Sequence, residues 1–151
     1  MALDAELVKV NFPQAVPMAG TLNLSFGELN SETAVVSMPD QQSYHNHVGG
    51  PHAGAMFTLA ESASGVLIFH NFGDILDKAT PLAVTETIRY LKLAMGEVTA
   101  TATMGTPLEQ ILTELDEGKR PEFDINVSIA TADGTETGQM AITWTLKPNR
   151  K

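Results

Sequence analysis

Residues 45–65 read HNHVGGPHAGAMFTLAESASG, a polar, glycine-bearing loop that passes at Pro51 into a run with no further proline until Pro81. Within that run Met56, Leu59, Ala60, Ala63, Leu67 and His70 recur at helical spacing, which predicts one helix over about 52–70. Pro51 ahead of the first turn and Asn71 or Gly73 at the far end are suitable boundaries. Ala53, Gly54, Ala55, Ala60, Ala63 and Gly65 leave little bulk on several sides. A sheet can approach such a helix closely from more than one direction, so it is predicted to be buried.

Upstream, residues 3–10 are read as a short helix, with Pro13 and Pro17 imposing an extended connection. TLNLSFGELN and SETAVVSMPD then predict a hairpin with strands at about 20–28 and 32–39, followed by a loop to Gly50. Downstream, period-two alternation predicts strands at about 81–93, 96–105, 121–131 and 135–147, with Asp133-Gly134 as a hairpin turn. The acidic, amphipathic segment 107–120 reads as a short helical insertion or a mobile loop. Two strands, one long helix and four strands predict an α+β fold, a single antiparallel sheet of about six strands wrapped around a central helix. At 151 residues the chain is the size of one domain, 1–151.

Composition narrows the function. Nine Lys plus Arg against 18 Asp plus Glu give a net charge of -9, a field that repels nucleic acid and anionic membranes. The same field repels coenzyme A, so such a ligand would need a local basic patch. Cysteine is absent, which excludes disulfides, thiolate zinc sites and thiol nucleophiles. Asp4 and Glu6 stand where a signal peptide would be basic and then apolar, and polar residues break the apolar stretch from Ala53 to Phe69. These features point to a cytoplasmic protein that neither spans nor binds membranes.

Glu61 is the most informative residue. It falls mid-helix between Ala60 and Ala63, where a carboxylate must be paired, protonated or functional. Burial would raise its pKa, as a general base requires. On spacing alone it could equally sit on a solvated stripe with Ser62 and Ser64. At the helix start, backbone N–H groups lack intrahelical partners, and Gly49, Gly50, Ala53 and Gly54 would let a ligand reach them. Such donors suit a carbonyl oxygen that gains charge, although the glycines could instead serve only a tight turn. His45, His47 and His52 lack an HExxH pattern or an acidic ligand at standard spacing, so neither metal nor cofactor is expected. No GxSxG elbow, GxGxxG or phosphate loop occurs.

The order Asn46, His52, Ala53-Gly54 and then Leu59-Ala60-Glu61 resembles the PaaI-like hot-dog thioesterases, whose motif runs Asn, Gly, His-Gly-Gly and an Asp or Glu in an LAD or LAE triplet. VTETIRYLKLAMGEVTATA, residues 84–102, is similar to that family's following strands, and the resemblance covers about 20–147. It implies hydrolysis of acyl-CoA thioesters, with Glu61 as general base or nucleophile and Asn46 placing water or substrate. Ala53 and Gly54 amides would polarise the carbonyl while His52 orders the loop. It also implies a site at the interface of a homodimer, or of a dimer of dimers, faced by strand residues Thr85 and Thr87. Gly50, Met56, Phe57 and Arg89 complete the expected substrate contacts, with the acyl chain near Met56, Phe57 and Ala60 and the CoA phosphates near Arg89, Lys92, Lys119 or Arg120. Two departures stand out. Ala53 replaces the first glycine of His-Gly-Gly, and Ala83 stands where a Ser or Thr is usual, with Thr85 two residues on.

Two other functions fit the same residues. A non-catalytic acyl-CoA binding or sensing protein would keep the pocket without turnover. A hot-dog hydratase or dehydratase would use His52 as acid or base beside Glu61.

Overall fold

The computed structural model of the chain describes residues 2–150. In chain order its helices and strands are α1 (Ala5–Ala15), α2 (Pro17–Thr21), β1 (Ser25–Leu29), β2 (Thr33–Met38), α3 (Ala53–Phe72), β3 (Ala79–Tyr90), β4 (Val98–Met104), α4 (Leu108–Asp116), β5 (Glu122–Thr131) and β6 (Glu136–Pro148). The strands form one antiparallel sheet in the order β1-β2-β4-β5-β6-β3. This is the expected α+β architecture, six strands around one long helix.

The helix is buried because the sheet curls round it. Leu59, Ala60, Ala63 and Leu67 are fully buried on α3, as are Val36, Ala100, Ala102, Ile125, Ile129, Ile142 and Leu146 on the sheet. Each large aliphatic side chain removed from water contributes about 1.5–3 kcal/mol. Two polar side chains of the helix are tied to its shell, Trp144 Nε1 donating to Ser64 Oγ at 3.1 Å and Asn71 Nδ2 to the Ser31 carbonyl at 2.9 Å, while Ser62 Oγ, His70 Nδ1 and Asn71 Oδ1 are buried without a partner.

The amino-terminal segment departs from expectation. Instead of an extended connection after residue 10, α1 continues through Pro13 to Ala15. Only Gln14 and Ala15 follow Pro13 in the helix, so the loss of its N–H is confined to the helix end. Phe12 holds that end in place, edge-on to Phe69 and Phe26 at 5.6 and 5.7 Å. Pro17 then starts α2 from the first-turn position, where a missing N–H costs nothing, so β1 begins at Ser25 rather than near residue 20. Of the two readings for residues 107–120, the helix is correct: Ile111 of α4 is buried against the core.

β3 lies at one edge of the sheet. Pro81 is compatible with that position, since an edge strand has one side without ladder partners. The strand stops at Tyr90 rather than near 93, because the Leu91 and Lys92 amides both turn to the Thr137 carbonyl, at 2.8 and 3.2 Å.

Candidate active site

The loop before α3 is built on Asn46. Its Oδ1 accepts from the Val48 and Gly50 amides at 3.0 and 3.1 Å, and its Nδ2 donates to the Pro51 carbonyl at 3.3 Å. The Asn46 amide also donates to the Gly50 carbonyl at 2.8 Å, and the His52 amide closes the loop on the Tyr44 carbonyl at 2.7 Å. Asn46 therefore orders the loop together with His52, the residue to which the resemblance gives that task. Gly50 has a packing reason: a Cβ there would lie 2.3 Å from the Ala94 carbonyl oxygen. Gly49 turns the loop at φ +79, a conformation other residues rarely adopt.

His52 is the N-cap of α3, its Nδ1 accepting from the Gly54 amide at 2.9 Å. That bond occupies the Gly54 N–H. The Ala53 and Ala55 amides belong to the same first turn, whose N–H groups have no intrahelical acceptor, and Ala53 is exposed. On its other side the Ala53–Gly54 peptide is held by β3: the Tyr90 hydroxyl donates to the Ala53 carbonyl at 2.8 Å. A cavity of about 360 Å³ opens at this helix end, lined by Asn46, Pro51, Ala53, Met56, Tyr90 and the segment Leu91–Ala94.

Glu61 lies two turns further along α3, half-buried on the stripe that faces β3. Among the described residues no hydrogen-bond donor or cation meets its carboxylate. Burial, and then the negative charge of Glu86, push its pKa from 4.5 up to about 7. Glu86 itself is raised by burial. A carboxyl that titrates near neutrality without a structural partner is what a general base requires.

Strand parity decides which β3 side chains share this space. Glu86 pairs in register with buried Ile142 and Ile88 with buried Met140, so both point toward α3 with Tyr90. Thr85, Thr87 and Arg89 alternate with them and lie on the outer face, opposite Thr143, Ala141 and Gln139. Thr87 and Arg89 line a separate cavity of about 410 Å³ there, with Thr101, Thr103 and Ser128. One chain thus brings together Asn46, His52, Ala53, Gly54 and Met56 at the helix start, places Phe57 and Glu61 on the helix stripe, and turns Thr85, Thr87 and Arg89 away from both.

The sequence reading passed over Glu86 and Tyr90, although Val84, Glu86, Ile88 and Tyr90 share the apolar parity of the strand. Of the four cations considered for phosphate, Lys92 borders the helix-start cavity. Lys119 is paired with Glu117 at 2.6 Å, and Arg120 Nε donates to Thr145 Oγ1 at 3.1 Å. Among the described residues no three of His, Cys, Asp and Glu converge as a metal site, and no helix is long and apolar enough to cross a membrane.

Solved structures share this architecture, that of the hot-dog fold. PA5026 of Pseudomonas aeruginosa, described as a protein of unknown function and probable thioesterase, superposes with a TM-score of 0.85 at 24% identity, over 99% of both chains. A point mutant of the thioesterase PA1618 of the same organism gives 0.77 at 21% identity, over 99% of this chain and 97% of that one. A thioesterase family protein from Silicibacter pomeroyi gives 0.74 at 19%, over 97% and 100%. Comparison with curated proteins gave no match. Residues 4–146 match the family described as domain of unknown function DUF4442, and the chain belongs to that family.

Proposed function

We propose that this protein hydrolyses acyl-CoA thioesters in the manner of the PaaI-like enzymes, with Glu61 as the carboxylate that activates water or attacks the carbonyl. The observation that carries the reading is Glu61 itself: half-buried in the central helix, without a structural partner, and titrating near 7. A thioester carbonyl is reactive enough for a carboxylate, a water and backbone donors to suffice without a metal. The free Ala53 amide at the start of α3 supplies the donor, aided by the positive end of the helix. Lys92 at the cavity rim supplies a cation for a CoA phosphate despite the protein's acidic charge. The neighbours named thioesterases support the chemistry, and a chain without cysteine suits a cytoplasmic location.

The spacing of these groups argues for two chains per site. Ala53 and Glu61 are eight residues apart, about 12 Å along the helix axis, and the Ala53 amide points beyond the helix end. A carbonyl held there is out of reach of the same chain's Glu61, whereas two α3 helices laid antiparallel bring one protomer's Glu61 to the other's Ala53. The open edge of β3 gives such a homodimer a natural seam, with a pair of dimers as the next level of assembly.

Thiol release from short, long and aryl acyl-CoA esters tests the activity, comparing the wild-type protein with Glu61→Ala and Glu61→Gln. Turnover that vanishes in both variants is the expected result. Thermal stabilisation by acyl-CoA without turnover on any ester would instead favour the binding protein.

A further inference from the structure

The first turn of α3 and the last residue of β3 are joined by the bond from Tyr90 Oη to the Ala53 carbonyl, 2.8 Å long. From that point helix and strand run in opposite chain directions along the same seam. Eight helical residues lead from Ala53 to Glu61, about 12 Å, and four strand residues lead from Tyr90 to Glu86, about 13 Å. Glu86 is therefore level with Glu61. Its parity with Ile88 and its register with buried Ile142 point its half-buried side chain to the helix.

We propose that Glu86 is a positioning residue for Glu61: the two carboxyls share one proton across the α3–β3 seam, and Glu86 sets the pH at which Glu61 becomes a base. This rests on the thioesterase reading for its catalytic consequence but not for the pair itself. Burial raises both carboxyls, and negative charge on Glu86 further disfavours ionisation of Glu61. Among the described residues no cation is paired with either carboxyl, and Lys92 lies at the helix-start cavity with Ala53 and Tyr90, at the other end of the seam. The inner faces of β2, β4, β5 and β6 carry Val36, Ala100, Ile125, Ile142 and similar apolar residues against α3, and α2 has no ionisable side chain. α1 brings Lys9, which is paired with Glu6 at 2.7 Å. On β3, Arg89 is on the outer face. On α3, His52 caps the far end and His70 lies in the last turn; in the loop, His45 pairs with Asp40 at 2.7 Å and His47 is exposed.

The test is Glu86→Gln, which keeps the shape and removes the charge. The acid limb of the pH–rate profile for thioester hydrolysis should move down by about half a unit or more, so that the activity at pH 6 relative to pH 8 rises. A purely structural role would lower kcat at every pH without moving the limb. Carboxyl 13C NMR of the glutamates reads the same coupling without turnover: the Glu61 midpoint should fall in Glu86→Gln, and the Glu86 midpoint should fall in Glu61→Gln, a variant that does not depend on how Glu86→Gln folds. A Glu61 titration unchanged by Glu86→Gln, or a Glu86 titration unchanged by Glu61→Gln, overturns the pair even if the protein proves an active thioesterase. Coupled titrations in a protein that hydrolyses no ester would leave the pair standing and remove the enzyme.

Discussion

The two halves of the central helix have opposite characters. From Ser62 to Phe72 every residue but Phe69 is buried, and Ser64 and Asn71 hold hydrogen bonds from or to the surrounding shell. From Ala53 to Glu61 the residues on one side remain partly open, a first-turn amide is left free, and a carboxylate faces another carboxylate. One half spends its side chains on cohesion. The other leaves a carboxylate and a first-turn amide without partners and partly open, where a ligand can reach them, whereas the unpartnered Ser62 Oγ, His70 Nδ1 and Asn71 Oδ1 of the buried half are sealed inside the core.

If the open half is catalytic, Glu61→Gln should lower kcat/KM by about 10²–10⁴-fold, the range for a lost general base, while the protein stays folded. The stability of that variant carries its own signature. A carboxyl raised to about 7 in the folded protein, from an ordinary 4.5, favours folding fully below pH 4.5 and loses that contribution as pH rises through 7. Relative to wild type, Glu61→Gln should therefore gain stability between about pH 5 and 7, by at most about 3 kcal/mol. Urea titrations at pH 5 and pH 8 measure this, and equal differences at both would place Glu61 in an ordinary solvated setting.

The free amide is tested by Ala53→Pro. Proline is accommodated at the first helical position, yet it deletes the N–H, so a loss of about 10²–10³-fold is expected. Mixing this variant with Glu61→Gln sharpens the result. If one chain's amide serves the other chain's carboxylate, mixed dimers regain one intact site and activity returns. If both groups act within a chain, no mixture recovers.

The buried half should answer in stability instead. Leu67→Ala removes a fully buried side chain and should cost about 2–5 kcal/mol by chemical denaturation. The kcat per folded molecule should change little, and a large fall there would mean that the two halves are not separable.

Much of this division is legible in the sequence, and the failures are physical. The helix announced itself by spacing and by Pro51, and Glu61 by being polar in the wrong place. Residues 3–10 read as a helix, but its extension to Ala15 and the whole of α2 were hidden because Pro13 and Pro17 look like breakers, whereas one stands near a helix end held by Phe12 and the other begins a helix. The facing strand was harder still. Thr85 and Thr87 look like substrate contacts by analogy, but the register shifts between Ala83 and Thr85, so counting along the motif does not fix a face. The apolar parity of Val84, Ile88 and Tyr90 does, and it carries Glu86 inward.

The smallest expected effect concerns His52, where cap and acid-base readings diverge most cleanly. As an N-cap its Nδ1 satisfies the Gly54 amide, and His52→Ala should cost about 1 kcal/mol. A serine at the same position restores an acceptor for that amide, so His52→Ser should recover most of the stability. Neither variant should slow thioester hydrolysis by more than about tenfold, because the carboxylate and the Ala53 amide remain. A hydratase would respond differently: loss of the imidazole proton donor should cost about 10²-fold or more, and serine could not replace it. Denaturation curves and rates on the same two variants therefore separate a histidine that shapes the loop from one that moves a proton.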